Sequence, residues 1–273
     1  MIEKILVAVA GRGLCEQMVN MLMEIPSMQR ASVTVLHVVS PQVIAGDMAN
    51  QLEEGGKILA EAVKSMKIDP SKVNPRLKQG DPKTIVPEVA KEENADLIIM
   101  GSRALGRLQA ILQNSVSQYV FQLASRPMLL VKDDVNVKRI KRIMVAMDSS
   151  DEAKQALEMA IYMARDISGC EIIMTRIGSK LPDKPEDDPV LAEAIKEVKK
   201  YRIKYRCILK SGKAGPIICE LAYDLNANLL IVGSPDRRPS IAKSLVDLDR
   251  LLGGSVSDYV RVKADCPVLL VRR

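Results

Sequence analysis

The chain has 273 residues, of which 47% are apolar, and a formal net charge of +6. This length predicts one large domain or two ordinary ones, and the apolar share is typical of a soluble globular protein. No apolar run reaches the roughly 18 residues that a membrane span needs, and the N-terminus lacks the regions of a signal peptide. Aromatic residues make up only 3%. Platforms for base stacking are therefore nearly absent, and the modest basic excess does not indicate a nucleic-acid-binding protein.

The cysteines and the histidine limit the chemistry that the chain can carry. The 5 cysteines are odd in number and form no C-x-x-C pair, which is typical of reduced thiols in a cytoplasmic protein. With His37 as the single histidine, we find no metal-ligand cluster and no Ser/His/Asp set. Neither a P-loop nor a dinucleotide fingerprint occurs. The sequence predicts no catalytic residue.

In chain order, the first half predicts five strands that alternate with helices. Apolar runs place the strands at Lys4–Val9, Ser32–Val39, Val73–Lys78, Leu97–Met100 and Met128–Lys132. Helical spacing and cap signals place the helices at Gly13–Ile25, at Asp47–Met66, after Asp81-Pro82, and from Asn114-Ser115. Because nearly apolar strands alternate with helices, the sheet is expected to be parallel and buried on both faces.

The second half repeats the first. Four blocks recur in order: Lys4–Ala10 as Arg142–Asp148, Leu77–Ser102 as Leu209–Ser234, Ser115–Val120 as Ser255–Val260, and Pro127–Lys132 as Pro267–Arg272. Such repetition predicts two homologous domains, which we place at residues 1–134 and 138–273. The second copy carries an insertion near residues 235–250, and its second helix, after Asp188-Pro189, is expected to be shorter.

These elements predict an α/β fold with two tandem doubly wound domains. Each domain holds a five-stranded parallel sheet in the order 3-2-1-4-5, with helices on both faces. Ligands of such sheets bind beyond the carboxyl ends of the strands, where the strand order reverses. A strand that ends in glycine before a helix start is also a plausible phosphate cradle. The segments to inspect are therefore Ala10–Gly13 with Gly101–Ser115, and Asp148–Ser150 with Gly233–Ser255.

At these residues the sequence resembles the universal stress protein family in its tandem two-domain form. The resemblance covers essentially the whole chain and rests on motifs that occur twice: Ala95–Ser102, Ser115–Val120 and Arg126–Lys132 in the first copy. Nucleotide-binding members carry Gly-x2-Gly-x9-Gly-Ser/Thr after strand four and an Asp that ends strand one. The resemblance implies that the glycine backbone and the hydroxyl hold phosphates, while the Asp and the end of strand two hold ribose and adenine. The implied ligand is ATP or AMP.

Both copies depart from the family's nucleotide motif. In the first, Ala104 and Asn114 take two of the glycine positions and Ala10 replaces the Asp. In the second, Asp148, Gly254 and Ser255 are present together, but Gly233 lies too far from Gly254. The candidate nucleotide-binding residues are Asp148, Ser149, Gly233, Gly254, Ser255, Ser257, Gly101, Ala104, Asn114 and Ser115.

Structural roles compete with these assignments. Ser115 and Ser255 also fit helix N-caps, and Asp148 fits a cap of the helix that starts near Ser150. Three functions therefore stay open. The first is a cytoplasmic stress-response or signalling protein that binds ATP or AMP in one domain, with the second domain preferred. The others are an interaction protein of the same fold that binds no nucleotide, and a slow nucleotide hydrolase.

The expected binding partners follow from the family resemblance and from the functions that stay open. They are an adenine nucleotide and an unidentified protein, without nucleic acid or membrane insertion. The last strands, Met128–Lys132 and Val268–Arg272, are short apolar edges that need a partner. We therefore expect the two halves to pack as an intrachain pseudo-dimer, and leave a homodimer open.

Overall fold

The computed structural model describes residues 1–40, 48–102, 116–132, 139–235 and 255–272. The described residues form two compact units, one that ends at residue 132 and one that begins at residue 139. Four of the candidate residues, Ala104, Asn114, Ser115 and Gly254, lie outside the described residues, as do the segment 133–138 and nearly all of the insertion at 235–250.

The first unit is a five-stranded parallel sheet with four described helices. Its strands are β1 (Lys4–Ala8), β2 (Ser32–Val39), β3 (Val73–Gln79), β4 (Leu97–Ser102) and β5 (Met128–Lys132). Its helices are α1 (Leu14–Met23), α2 (Met48–Ser65), α3 (Pro82–Glu92) and α4 (Val116–Leu123). The strand order is β3-β2-β1-β4-β5, and every pair is parallel.

The second unit has the same topology. Its strands are β6 (Arg142–Met147), β7 (Glu171–Gly178), β8 (Lys204–Ser211), β9 (Leu229–Gly233) and β10 (Val268–Val271). Its described helices are α5 (Asp151–Ala164), α6 (Pro189–Lys200), α7 (Ala214–Asp224) and α8 (Val256–Lys263). The order β8-β7-β6-β9-β10 is again wholly parallel. The predicted fold class is therefore confirmed, and α6, with 12 residues, is shorter than α2, with 18.

Strands with a uniformly apolar sequence are buried, whereas the strand at one end of each strand order is more exposed. All residues of β5 and β10 are buried. By contrast, β3 is largely exposed or half-buried, and it contains Pro75. Proline lacks the N–H that a central strand donates, so it is tolerated on an edge strand. The expectation that every strand is buried on both faces is wrong for β3 and for its counterpart β8.

Some predicted boundaries of the first helix are wrong by one or two residues. Gly13 is not the first helical residue, because its φ of 73° is left-handed, and α1 starts at Leu14. The helix ends at Met23, before Ile25, whose extended backbone precedes Pro26. A residue before proline is disfavoured in the helical region, which explains the earlier end. Within the part of the chain that the structure describes, no helix is long and apolar enough to cross a membrane.

Two aspartates cap helices, Asp81 as the sequence predicts and Asp188 at the start of the shorter helix α6. The Asp81 carboxylate accepts a hydrogen bond of 2.9 Å from the Lys83 N–H at the start of α3. Asp188 is more deeply engaged, since its Oδ1 accepts 3.0 Å bonds from the N–H groups of Val190 and Leu191 at the start of α6. Its Oδ2 lies 3.6 Å from Nε of Arg176 on β7. Asp188 thus fixes α6 to the sheet as well as capping it.

We expect Asp188→Ala to lower the free energy of unfolding by about 2 kcal/mol, because it removes two cap bonds and a counter-charge for Arg176. The neighbouring Asp187, which is exposed, provides the control, and Asp187→Ala should change stability by less than about 0.5 kcal/mol. Urea denaturation of the full chain measures both. Equal effects of the two substitutions would contradict the role of Asp188.

Candidate functional site

A cleft opens in each unit at the carboxyl ends of the strands, where the strand order reverses. The first cleft, of about 280 Å³, is bordered by the ends of β1, β2 and β4 and by the first turns of α1, α3 and α4. The second cleft, of about 90 Å³, is bordered by the equivalent ends of β6, β7 and β9 and by α5, α7 and α8. Both lie where a doubly wound sheet binds its ligands.

The clefts contain some of the candidate residues but not all of them. Ala10 and Gly101 line the first cleft. Asp148 and Gly233 line the second. Ser149 is exposed and, together with Asp148, borders a groove of about 680 Å³ between α5 and α6. Ser255 and Ser257 lie at the start of α8, where the residue between them, Val256, lines the second cleft.

The glycine that ends the fourth strand has a different neighbour in each unit. A Cβ on Gly233 would lie 2.5 Å from the carbonyl carbon of Glu152 and 2.6 Å from the N atom of Ala153. The backbone of α5 therefore packs directly on the end of β9, and only glycine fits there. Among the described residues, a Cβ on Gly101 would meet the Sγ of Cys15, at 3.8 Å. The Cys15 side chain stands between α1 and β4, and the first cleft is the larger one.

Asp148 supports the start of α5 rather than capping the helix itself. Its Oδ1 accepts a 2.9 Å hydrogen bond from the N–H of Ser150 and a second bond from the Ser150 hydroxyl. Ser150 is the N-cap residue, and its Oγ accepts the N–H of Ala153 at 3.2 Å. The hypothesis that Asp148 caps this helix is thus corrected, because Ser150 is interposed. The Asp148 side chain is exposed, and among the described residues only Ser150 donates to it.

Ser255 caps α8, so its alternative interpretation as an N-cap is confirmed. Its Oγ accepts the N–H of Asp258 at 3.1 Å and donates to Asp258 Oδ2 at 2.7 Å. The hydroxyls of Ser255, Ser257 and Ser234 follow one another at 3.0 and 3.1 Å. The hydroxyl that the family resemblance assigns to phosphate is therefore already hydrogen-bonded, and a carboxylate lies beside the helix start.

The first cleft contains an acidic residue that sequence reasoning missed. Glu16 lines this cleft with an exposed fraction of 4%, and no described residue donates a hydrogen bond to its carboxylate or pairs with it. It follows Gly13, a helix start without a side-chain cap. One signal was available in the sequence: Glu16 precedes the buried Val19 by one helical turn and so belongs to the apolar face of α1.

Two further side chains of the first cleft, Cys15 and His37, are not set up to act as nucleophiles. Burial raises the pKa of the Cys15 thiol to about 12, and the nearby Glu16 charge adds to the shift. Cys15 is therefore protonated at neutral pH and is not a nucleophile. The His37 Nδ1 lies 2.9 Å from the carbonyl oxygen of Val9, so Nδ1 carries a proton and donates it. The described residues contain no group of three or more His, Cys, Asp or Glu that could hold a metal ion.

The sequence matches a protein-family model twice. The model of the universal stress protein family covers residues 1–132 and again residues 139–272. The chain belongs to the universal stress protein family. Each match coincides with one of the two units that carry the parallel sheets, so this universal stress protein contains the family fold in tandem.

The chain is also similar to individual universal stress proteins. A universal stress protein of Mycolicibacterium smegmatis is 24% identical over 276 residues, which cover 90% of this chain and 89% of that protein. Universal stress protein YxiE of Bacillus subtilis is 26% identical over 148 residues, which cover 48% of this chain and 100% of YxiE. The crystal structure of a universal stress protein from Archaeoglobus fulgidus matches with a TM-score of 0.79 and 22% identity, over 99% of this chain and 96% of that one. At this identity the structural match shows the fold alone.

We expect the same substitution to alanine to change stability by different amounts at the two strand-end glycines. Gly233→Ala should lower the free energy of unfolding by roughly 1–3 kcal/mol, since the new methyl group would overlap the α5 backbone. Gly101→Ala should change it by less than about 0.5 kcal/mol, because the described neighbour of the added methyl group, Cys15 Sγ, lies at an ordinary van der Waals distance of 3.8 Å. Urea denaturation of both variants is the measurement. A loss for Gly101→Ala as large as that for Gly233→Ala would contradict the difference in helix approach.

The buried thiol predicts a pH dependence of stability. The pKa of Cys15 is raised from 9.0 to about 12 in the folded chain, so between these values the unfolded chain loses a proton that the folded chain keeps. The thiol's contribution to stability is therefore constant below pH 9 and falls above it, by about 1.4 kcal/mol per pH unit.

The contribution of the Cys15 thiol to this pH dependence is isolated by comparison with Cys15→Ala. Alanine is chosen because Ala153 occupies the equivalent position in the second unit. Urea denaturation at pH 8, 9, 10 and 10.5 should show the wild type losing stability relative to the variant from pH 9 upward. A constant difference between the two proteins across this range would show that Cys15 ionises normally in the folded chain.

Proposed function

We propose that this universal stress protein binds an adenine nucleotide, ATP or AMP, at the carboxyl edge of one of its sheets, and that it serves a cytoplasmic stress-response or signalling role. The observation that carries the proposal is the first cleft. Its volume of about 280 Å³ is close to the lower limit of small-molecule sites, about 300 Å³. It also lies at the point of strand-order reversal, where the family motif begins with Gly101.

The volume of the cleft favours the first unit, whereas the retained motif residues favour the second. The second unit retains Asp148 and Ser255, and for this reason the sequence favours it. Its cleft of about 90 Å³, however, is well below the roughly 300 Å³ of typical ligand sites, and both side chains serve the helix starts. Asp148 also borders the groove of about 680 Å³ between α5 and α6, on the side away from the strand-end glycine Gly233. The first cleft is three times larger and Gly101 leaves it open. We therefore place the nucleotide in the first unit, while the preference for the second remains an untested prediction.

An interaction protein without nucleotide is the second candidate function. It is favoured by the internal hydrogen bonds of Asp148 and Ser255, which give two motif residues a purely structural use. Hydrolysis of the nucleotide has less support. Cys15 is protonated and the His37 Nδ1 donates to a carbonyl oxygen, which leaves Glu16 as the acidic side chain among the described residues that line the first cleft.

Nucleotide binding is tested by calorimetric titration of ATP and AMP into nucleotide-free protein, after chromatography of the nucleotide released by denaturation. We expect a single nucleotide per chain. Gly101→Val should weaken binding at least tenfold, or about 1.4 kcal/mol, because its branched side chain fills the first cleft. Gly101→Ala, with a tolerated methyl group, is the matched control for the folded state.

The second unit is tested in parallel. Asp148→Ala should leave the affinity within about threefold of the wild type, as should the control Asp151→Ala, an exposed acidic residue of the same segment. If Asp148→Ala alone abolished binding, the nucleotide would belong to the second unit. If the wild-type protein released no nucleotide and gave no heat, the interaction-protein alternative would replace the proposal.

A further inference from the structure

Glu16 is a buried acidic side chain on the wall of the first cleft. It lies in the first turn of α1, and 4% of its surface is exposed. Buried polar groups are normally hydrogen-bonded, and the Glu16 oxygens are not among the described side-chain atoms that are both fully buried and without a partner. Among the described residues none donates to Glu16 or pairs with it. Its acceptor capacity is therefore available to a ligand in the cleft.

Glu16 is the only acidic residue among the described residues that line the first cleft. The neighbouring wall is formed by apolar side chains such as Val9, Leu36 and Met100. Cys15 is a neutral thiol beside it. A hydrogen bond to a carboxylate is stronger in such an environment than in water, and its geometry is more discriminating. Arg12 also lines the cleft, but it already has an interaction within the chain.

The end of β1 offers no acidic group in this unit. Ala10 stands at the position that Asp148 occupies in the second unit. Both Ala10 and Glu16 line the first cleft, so Glu16 brings a carboxylate to the same cleft from the first turn of the next helix. In doubly wound nucleotide sites generally, an acidic side chain that accepts from a ribose hydroxyl fixes the sugar.

The chemistry of a carboxylate selects the part of the nucleotide that it can contact. An ionised carboxylate accepts hydrogen bonds through two oxygens and donates none. Phosphate oxygens are negatively charged acceptors and would be repelled. The adenine ring offers one amino group flanked by ring nitrogens that are themselves acceptors. The ribose alone offers two adjacent donors, its 2′- and 3′-hydroxyls, which match the two carboxylate oxygens.

We infer that Glu16 is a specificity-determining residue that accepts hydrogen bonds from the vicinal hydroxyls of the nucleotide's ribose in the first cleft. This inference rests on the proposed function, because it assigns the sugar contact of the same site. Glu16 thereby makes the cleft selective for ribonucleotides over deoxyribonucleotides.

A purely structural role makes a different prediction. A negative charge in the first turn of a helix is stabilised by the helix dipole, and α1 begins without a side-chain cap. If Glu16 served only the helix, its neutralisation would lower the melting temperature and would weaken ribose and deoxyribose ligands equally. The ratio of the two affinities is therefore the readout that separates the roles.

The experiment is a calorimetric titration of ATP, 2′-deoxy-ATP and 3′-deoxy-ATP into the full-length wild type, Glu16→Gln, Glu16→Asp and Glu24→Gln. Glu24 is the exposed C-cap residue of the same helix and gives the matched control. We expect the wild type and Glu24→Gln to bind ATP roughly ten- to a hundredfold more tightly than either deoxynucleotide, as expected for hydrogen bonds to a charged group.

In Glu16→Gln this preference should fall to about threefold or less, since the amide keeps one weaker acceptor. Glu16→Asp, which keeps the charge on a shorter side chain, should restore part of the preference and serves as the folded, charged variant if Glu16→Gln is unstable. Thermal melting of all four proteins confirms that the folded state is retained.

Two results would overturn the inference, and they are distinguishable. Binding of ATP by the wild type with a preference for ribose that Glu16→Gln and Glu16→Asp leave unchanged would overturn the role of Glu16 alone. No heat from the wild type with any of the three nucleotides would overturn the proposed function, and the role of Glu16 with it.

Discussion

The distance between the first helix of each unit and the carboxyl end of its fourth strand controls the rest of the site. In the second unit α5 touches the backbone of Gly233, and in the first unit the thiol of Cys15 lies between α1 and Gly101. Protein interiors are close-packed, so one larger side chain at such a contact changes the space beside it. The two clefts accordingly differ threefold in volume although their strand orders are identical.

The same polar groups can serve either a helix start or a ligand, and in the second unit they serve the helix. Ser255 and Asp258 exchange hydrogen bonds at the start of α8, and Asp148 holds Ser150 at the start of α5. A cap contributes on the order of 1 kcal/mol to folding, and a ligand that recruits these groups must offset that loss. Motif residues that survive in a sequence are therefore weak evidence of binding when their bonds are already made.

Much of the fold could be predicted from the sequence, because burial in a parallel sheet leaves a strong local pattern. The apolar runs at β5 and β10 and the caps at Asp81 and Asp188 are local signals, and the structure reproduces them. The repeat then gives the topology twice. By contrast, the exposure of β3 agrees with its polar residues and Pro75, local signals that the expectation of uniformly buried strands overlooked.

The candidate site could be predicted only in part, for the same physical reason. The sequence places Gly101 and Gly233 at strand ends, but how closely a helix approaches them depends on residues far along the chain, Cys15 in one unit and Glu152 and Ala153 in the other. Glu16 was missed because acidic residues in a first helical turn are usually solvated. Its burial arises only when α1, β1 and β4 come together.

Some departures from the commonest local arrangements lie in the first cleft. Gly11 and Gly13 both have a left-handed φ of 73°, α1 begins without a side-chain cap, and Glu16 is buried without a described partner. The equivalent helix start of the second unit has Ser150 as its cap and Ala153 packed on β9, while on α8 Asp258 Oδ1 and Arg261 Nε are buried side-chain atoms without a hydrogen-bond partner. Sequences that fold well are locally consistent, and violations that persist are expected where function requires them. Of these departures, the uncapped start of α1 and the burial of Glu16 lie beside Gly101, which fits the proposal that the ligand binds in the first unit.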